Sequence, residues 1–190
     1  MIETIAQIVG IFAATANILS YQCKDKKKLI FMQLLGGSLF SINFLLLGAI
    51  MGAIMNVLAV IRAVLFINKE KWKIPDNALV YGFIAAFLAA YVVSFTLLGT
   101  EPTVKNFILE SLPVIGMTAI TVSFKMKNAT AVRFLALTLG SPSWLVYNIF
   151  AKSIGAIFCE AFSIVSVAIG IFRLDIKKAK KEDKTAQEEN

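Results

Sequence analysis

Seven apolar runs, each close to the roughly 20 residues that carry a helix across a bilayer, dominate this chain and restrict it to a membrane protein. They span about Ile5 to Tyr21, Leu29 to Leu47, a third from the tight Gly48-Ala49 turn to Ile67, Ala78 to Leu98, Val104 to Phe124, Thr130 to Phe150 and Ile154 to Leu174. Of the 190 residues, 58% are hydrophobic and 16% charged, where a soluble domain has about half and a quarter. The charges gather between the runs, so no soluble domain fits beyond a polar tail from Asp175 to Asn190.

Orientation follows from the lysines and arginines, which accumulate on the cytosolic side of bacterial membranes. With the N-terminus outside, Lys24, Lys26, Lys27, Lys28, Lys69, Lys71, Lys73, Lys125, Lys127, Arg133 and the tail from Arg173 to Lys184 all fall inside. Lys105 and Lys152 fall outside, and Arg62 lies within the third run. The expected topology is N-terminus out, C-terminus in. The net charge of +7 is therefore a topology signal at helix ends, and nucleic acid is not an expected partner. Glu3 precedes the first run with no Lys or Arg, so the first helix is expected to remain in the mature protein. Cys23 and Cys159 lack metal-ligand spacing and are expected to be small apolar fillers rather than a disulfide.

Sliding the chain against itself by 103 residues lays Thr15-Ala16 on Thr118-Ala119, Ser20 on Ser123 and Lys24 on Lys127. Phe31 meets Phe134, Leu34 meets Leu137, and Gly37-Ser38 meets Gly140-Ser141. Gly52-Ala53-Ile54 meets Gly155-Ala156-Ile157, Ile61 meets Ile164 and Val64 meets Val167. One register superposes helices and loops alike. Helices one to three and five to seven then form two copies of one unit. Three is odd, so a single linker helix is needed to return the second copy to the orientation of the first. The expected fold is all-α: two parallel three-helix repeats (1–68 and 103–174) joined by a loop and linker helix (69–102), followed by the tail 175–190.

This arrangement resembles the SWEET sugar facilitators, the PQ-loop proteins and the PnuC-type vitamin transporters. A closer resemblance is to the bacterial inner-membrane family named after YgjV. It is carried by Glu110-Ser111-Leu112-Pro113-Val114-Ile115-Gly116, Trp144-Leu145-Val146-Tyr147-Asn148, Ser153-Ile154-Gly155 with Glu160, and Asn56 followed by Ile61-Arg62. It covers Gln7 to Arg173. It implies a multi-pass protein of the bacterial inner membrane and a superfamily habit of moving small solutes. The chain departs from the PQ-loop pattern because Gly10 stands where the second repeat has Pro113.

Polar side chains in a bilayer are costly and usually face the bundle interior or a wet cavity. Glu160 lies about six residues, roughly 9 Å, into its helix, and the repeat register maps it beside Asn56. The pair is expected at similar depth, either as a solute site or as buried hydrogen-bonding glue. Thr138, Ser141, Leu145 and Asn148 are expected on one face of the sixth helix, with Trp144 offering a stacking surface. The second helix answers with Gly36, Gly37, Ser38, Ser41 and Asn43; close helix packing explains the glycines. Arg62 is expected either to snorkel or to face inward, and Glu110 to sit at the outer mouth. Pro113 and Pro142 are candidate hinges.

No catalytic set, metal-ligand cluster, Gly-rich phosphate loop or Walker motif occurs, and His is absent. The expectation is a non-enzymatic facilitator or secondary transporter of a small polar solute, without cofactor or metal, embedded in lipid. Its expected solute-binding residues are Asn56, Glu160, Trp144, Asn148, Ser141, Ser38, Asn43 and Arg62. A homo-oligomer stays open. The alternative is a membrane receptor or interaction protein that binds without transporting, its basic tail docking a partner or anionic lipid.

Overall fold

The computed structural model describes residues 1–20, 26–126 and 129–172, with side chains described over 1–20, 31–126 and 130–172. Cys23, Lys24, Asp25, Lys127, Arg173 and the tail 175–190 lie outside the described residues, as do the side chains of Lys26, Lys27 and Lys28. The described residues are helical, with no strand among them. In chain order the helices are α1 (Ile2–Ser20), α2 (Lys26–Leu46), α3 (Ile50–Asn68), α4 (Asp76–Thr96) and α5 (Val104–Ser123). Then come α6 (Ala129–Leu135), a π segment (Ala136–Gly140), α7 (Ser141–Phe150) and α8 (Ile154–Gly170). Since α6, the π segment and α7 run on without a break, the described residues form seven helical rods. Of these, α1, α3, α4 and α5 are long and apolar enough to cross a membrane; Phe31–Leu46 and Ile154–Gly170 are shorter apolar stretches.

The side-chain pattern of α1 explains its packing. Ala6, Gly10, Ala13 and Ser20 form a buried stripe of small residues, while Ile5, Ile8, Ile11, Phe12 and Leu19 are exposed. Water would drive the opposite arrangement. Lipid removes the incentive to bury bulk, and small inward residues let helices approach closely. One close approach joins α1 to α8, where a Cβ added at Gly155 would overlap the Gly10 carbonyl. Around the bundle, α1 packs on α2 and α8, α2 on α3, α3 on α4 and α5, α5 on α7, and α7 on α8. Helix α4 buries Leu79, Phe83, Phe87 and Ala90 against α3 and α5 and exposes Tyr81, Leu88 and Val92. A Lys69–Asp76 ion pair of 2.6 Å ties the α3–α4 loop, and Lys125 Nζ donates to Asn77 Oδ1 at 2.5 Å.

The sixth rod departs from a plain helix next to Pro142. Proline has no N–H for the carbonyl four residues back, that of Thr138. The chain widens there into the π segment, and Ser141 N–H bonds the Ala136 carbonyl five residues back. The wider turn shifts the helical faces. Thr138 is exposed, with its hydroxyl bonded to the Phe134 carbonyl at 2.8 Å, so it does not share the inward face of Asn148 as the unbroken periodicity predicts.

The α2–α3 and α7–α8 turns each use a left-handed residue, Gly48 (φ 73) and Lys152 (φ 55). Each closes with matching bonds, Ala49 N to Phe44 O at 2.8 Å and Ser153 N to Asn148 O at 3.1 Å.

The close contact at Gly155 gives a direct check. Gly155→Ala is expected to lower stability by about 1–3 kcal/mol through overpacking. Gly82→Ala, whose added methyl meets nothing within 4 Å, is expected to shift it by less than about 0.5 kcal/mol. Parallel thermal unfolding of the two variants in one detergent reads the difference.

Candidate functional site

A cavity of about 420 Å³ lies between α2, α3, α5, α7 and α8, with Asn17 of α1 on its wall. It is lined by Asn56, Arg62, Trp144, Asn148 and Glu160, five of the residues expected from the sequence. At one end it continues past Gln33 and Phe124, both exposed.

Each of these side chains is set by its own helix. Arg62 is only 7% exposed. Its Nη1 donates to Thr121 Oγ1 at 2.6 Å and toward the Met117 carbonyl at 3.4 Å, and its guanidinium carbon lies 5.1 Å from the Phe124 ring centre. Its Nε has no partner, and among the described residues no carboxylate comes within ion-pair distance. A guanidinium in this setting keeps its charge without a counter-ion, which is costly in a medium of low dielectric constant. Asn148 is 1% exposed, and its Oδ1 also has no partner. Asn56 donates to the Gly52 carbonyl one turn earlier at 2.9 Å. Glu160 is half-buried, lines the same cavity and interacts with the Ser141 hydroxyl. Trp144 packs over Phe44 (ring centres 6.3 Å apart) and edge-on to Tyr147 (5.9 Å). Gly116 makes room for it, because a Cβ there would sit 2.7 Å from Trp144 Cδ1.

Two expected residues lie elsewhere. Ser38 is exposed, while its neighbour Gly37 lines the cavity; consecutive residues on a helix point about 100° apart. Asn43 is fully buried in a separate node, where it donates to the Ala6 carbonyl at 2.7 Å and accepts from Ser153 Oγ at 2.6 Å. Beside that node Gln7 of α1 grips the start of α8: its Nε2 donates to Lys152 O at 2.7 Å, and its Oε1 accepts from Ile154 N–H at 3.0 Å. These bonds, together with the cluster of Phe44, Trp144 and Tyr147, close the bundle at the end opposite Gln33. Pro113 is buried within α5, and Pro142 follows the π segment.

Glu110 lines a second cavity of about 570 Å³ at the closed end, with Gly48, Ala49, Tyr147 and Lys152. Its Oε2 is buried without a partner. Asn17 and Gln33 enter the main cavity without having been singled out in the sequence. Asn17 carried a signal, since it continues the stripe of Ala6, Gly10, Ala13 and Ser20 at helical spacing. Among the described residues no group of His, Cys, Asp and Glu could hold a metal ion.

Rods sheathed in bulky apolar residues around a polar-lined interior define an α-helical membrane protein. A family model described as a bacterial inner membrane protein, Imp-YgjV, matches residues 4–178, and the chain belongs to that family. No curated protein and no solved structure gives a significant match.

The Arg62–Thr121 bond can be tested by Thr121→Val, which keeps the side-chain shape and removes the acceptor. The loss is expected to be about 1–3 kcal/mol, the cost of leaving a buried donor unpaired, measured by unfolding in detergent.

Proposed function

We propose that the protein is a facilitator or secondary transporter of a small polar solute, working by alternating access at the cavity between its two halves. The observation that carries this reading is that one cavity is lined by both Arg62 and Asn148, each of which keeps a buried polar atom without a partner, Nε and Oδ1. Polar side chains at membrane depth face the bundle interior or a water-filled cavity, and side chains of this kind mark solute or ion pathways. The volume of about 420 Å³ is within the range of small-molecule sites. Arg62 without a carboxylate favours a solute bearing an acidic group. Asn148 Oδ1 and Glu160 ask for hydrogen-bond donors on the same solute, and Trp144 and Phe44 supply an apolar flank.

Two parallel repeats, with the N-terminus outside, are part of this reading. Helix packing supports them, because exchanging the halves maps the α1–α8 contact onto α5–α3 and the α2–α3 contact onto α7–α8. The two left-handed turns support them as well. The π segment adds one residue to the sixth rod, so Gly48 and Lys152, and the helix starts Ile50 and Ile154, stand 104 residues apart; the single 103-residue register expected from the sequence does not extend through this turn. In that frame the open end at Gln33 and Phe124 faces the cytosol and the latched end faces outward.

The test is thermal stabilisation of the purified protein by a panel of amino acids, sugars, nucleosides and vitamins, since a ligand of the folded state raises its melting temperature. A hit carrying an acidic group is expected, weakened at least about tenfold (roughly 1.4 kcal/mol) in Arg62→Met and in Glu160→Gln. Hits that survive both substitutions would refute the site. A panel without hits would favour the receptor alternative, to be pursued through proteins captured by the tail.

A further inference from the structure

The two ends of the repeat differ in one informative way. Gln7 on α1 clamps the turn before α8, using its amide N–H on the Lys152 carbonyl and its amide oxygen on Ile154 N–H. Ile154 opens its helix, and N–H groups in a first turn have no acceptor within the helix. The 103-residue shift places Glu110 on α5 where α1 has Gln7. The turn facing Glu110 is the left-handed Gly48 turn, where Gly48 and Ile50 stand as Lys152 and Ile154 do in the other half. Glu110 does line a cavity with Gly48 and Ala49, but that cavity is about 570 Å³ in volume, and Glu110 Oε2 has no partner. One latch is made and its counterpart is open.

A glutamine always has one donor and one acceptor. A glutamate has that pair only when protonated; once ionised it is acceptor-only, and a carboxylate facing the Gly48 carbonyl meets repulsion. We propose that Glu110 is a proton site: on taking a proton from the aqueous phase it donates to the Gly48 carbonyl and accepts from Ile50 N–H, closing α5 onto the α2–α3 turn as Gln7 closes α1 onto α8. Loss of the proton releases this latch. The proposal rests on the repeat described above, and it makes the proton the ion that governs movement of the two halves.

The surroundings allow such a switch. The same cavity holds Glu3 of α1, which disfavours a second negative charge, and Lys152, which favours it. Tyr147 of α7 also faces it, with its hydroxyl oxygen accepting from Gly52 N–H at 2.8 Å, so its proton is free to point toward the cavity. From α4, Tyr91 donates to the Phe107 carbonyl of α5 at 3.1 Å. Arg62 of α3 meets α5 only toward Met117 and Thr121, and Arg133 of α6 lies beside Gly170 of α8. On α5 itself, Lys105 sits over the Phe150 ring at 5.7 Å.

Hydrogen exchange of the α2–α3 turn, residues 46–51, tests the proposal in the full chain, with intrinsic rates corrected for pH. In the wild type, protection at Ile50 is expected to be roughly tenfold greater at acid than at mildly alkaline pH, the size of effect one or two hydrogen bonds produce. Glu110→Gln is expected to hold that protection at both pH values, and Glu110→Ala at neither. Gln7→Glu is the converse variant and is expected to make protection at Ile154 depend on pH. A wild-type turn whose protection ignores pH overturns the proposal, as does a Glu110→Gln protein that exchanges like Glu110→Ala. Solute stabilisation that persists through such a failure would leave the Arg62 cavity standing and remove only the proton site.

Discussion

A polar group inside a bilayer has no water to turn to, and that single constraint organises this molecule. Where the inward side chains can satisfy one another, they fasten helices together. Asn43 joins Ala6 to Ser153, Gln7 joins α1 to the start of α8, and Tyr147 receives the first-turn N–H of Gly52. Where they cannot, the residues that keep an unsatisfied buried atom line cavities: Arg62 (Nε) and Asn148 (Oδ1) one of them, Glu110 (Oε2) the other. The satisfied groups build the closed end, and the unsatisfied ones belong to residues that line the two cavities. An unpaired buried group costs about 1–3 kcal/mol, and three such groups stand among the described residues.

The same constraint governs packing. Without a hydrophobic drive between helices, contact comes from shape. Small residues therefore line the seams: Gly10 against Gly155, Gly36 against Asn17, and Gly116 beneath Trp144. The π segment belongs to this economy of fit. By taking up one residue beside Pro142, it brings Asn148, rather than Thr138, to the inward face. Helix register and cavity lining are thus coupled through one local irregularity.

Much of this was legible in the sequence for physical reasons. Length and hydropathy marked the rods, since a bilayer sets both; observed ends such as Ile50–Asn68 and Val104–Ser123 fall within a few residues of expectation. Depth arithmetic brought Asn56 and Glu160 to one cavity. Rotation about an axis was harder to read. In α2, apolar residues surround the helix, so no polar stripe distinguished the inward Asn43 from the outward Ser38. The bulge in the sixth rod also defeated a periodicity that assumes unbroken α-helix. Glu110 is expected at the outer mouth from the sequence, and nothing local marked the second cavity that it lines. The bond from Arg62 to Thr121, between residues 59 apart in the chain, had no local signature.

The central claim is that the cavity beside Arg62, Asn148 and Glu160 is an aqueous site open toward the cytosol. Cys159 lies on its wall and reports on it directly. The decisive measurement is labelling of Cys159 by a small membrane-impermeant thiol reagent, in a Cys23→Ser background, comparing inside-out with right-side-out vesicles. The account predicts labelling from the cytosolic face and little from the outer one. A thiol that stays unlabelled from both faces, while the denatured protein labels fully, would show a dry helix seam and contradict it.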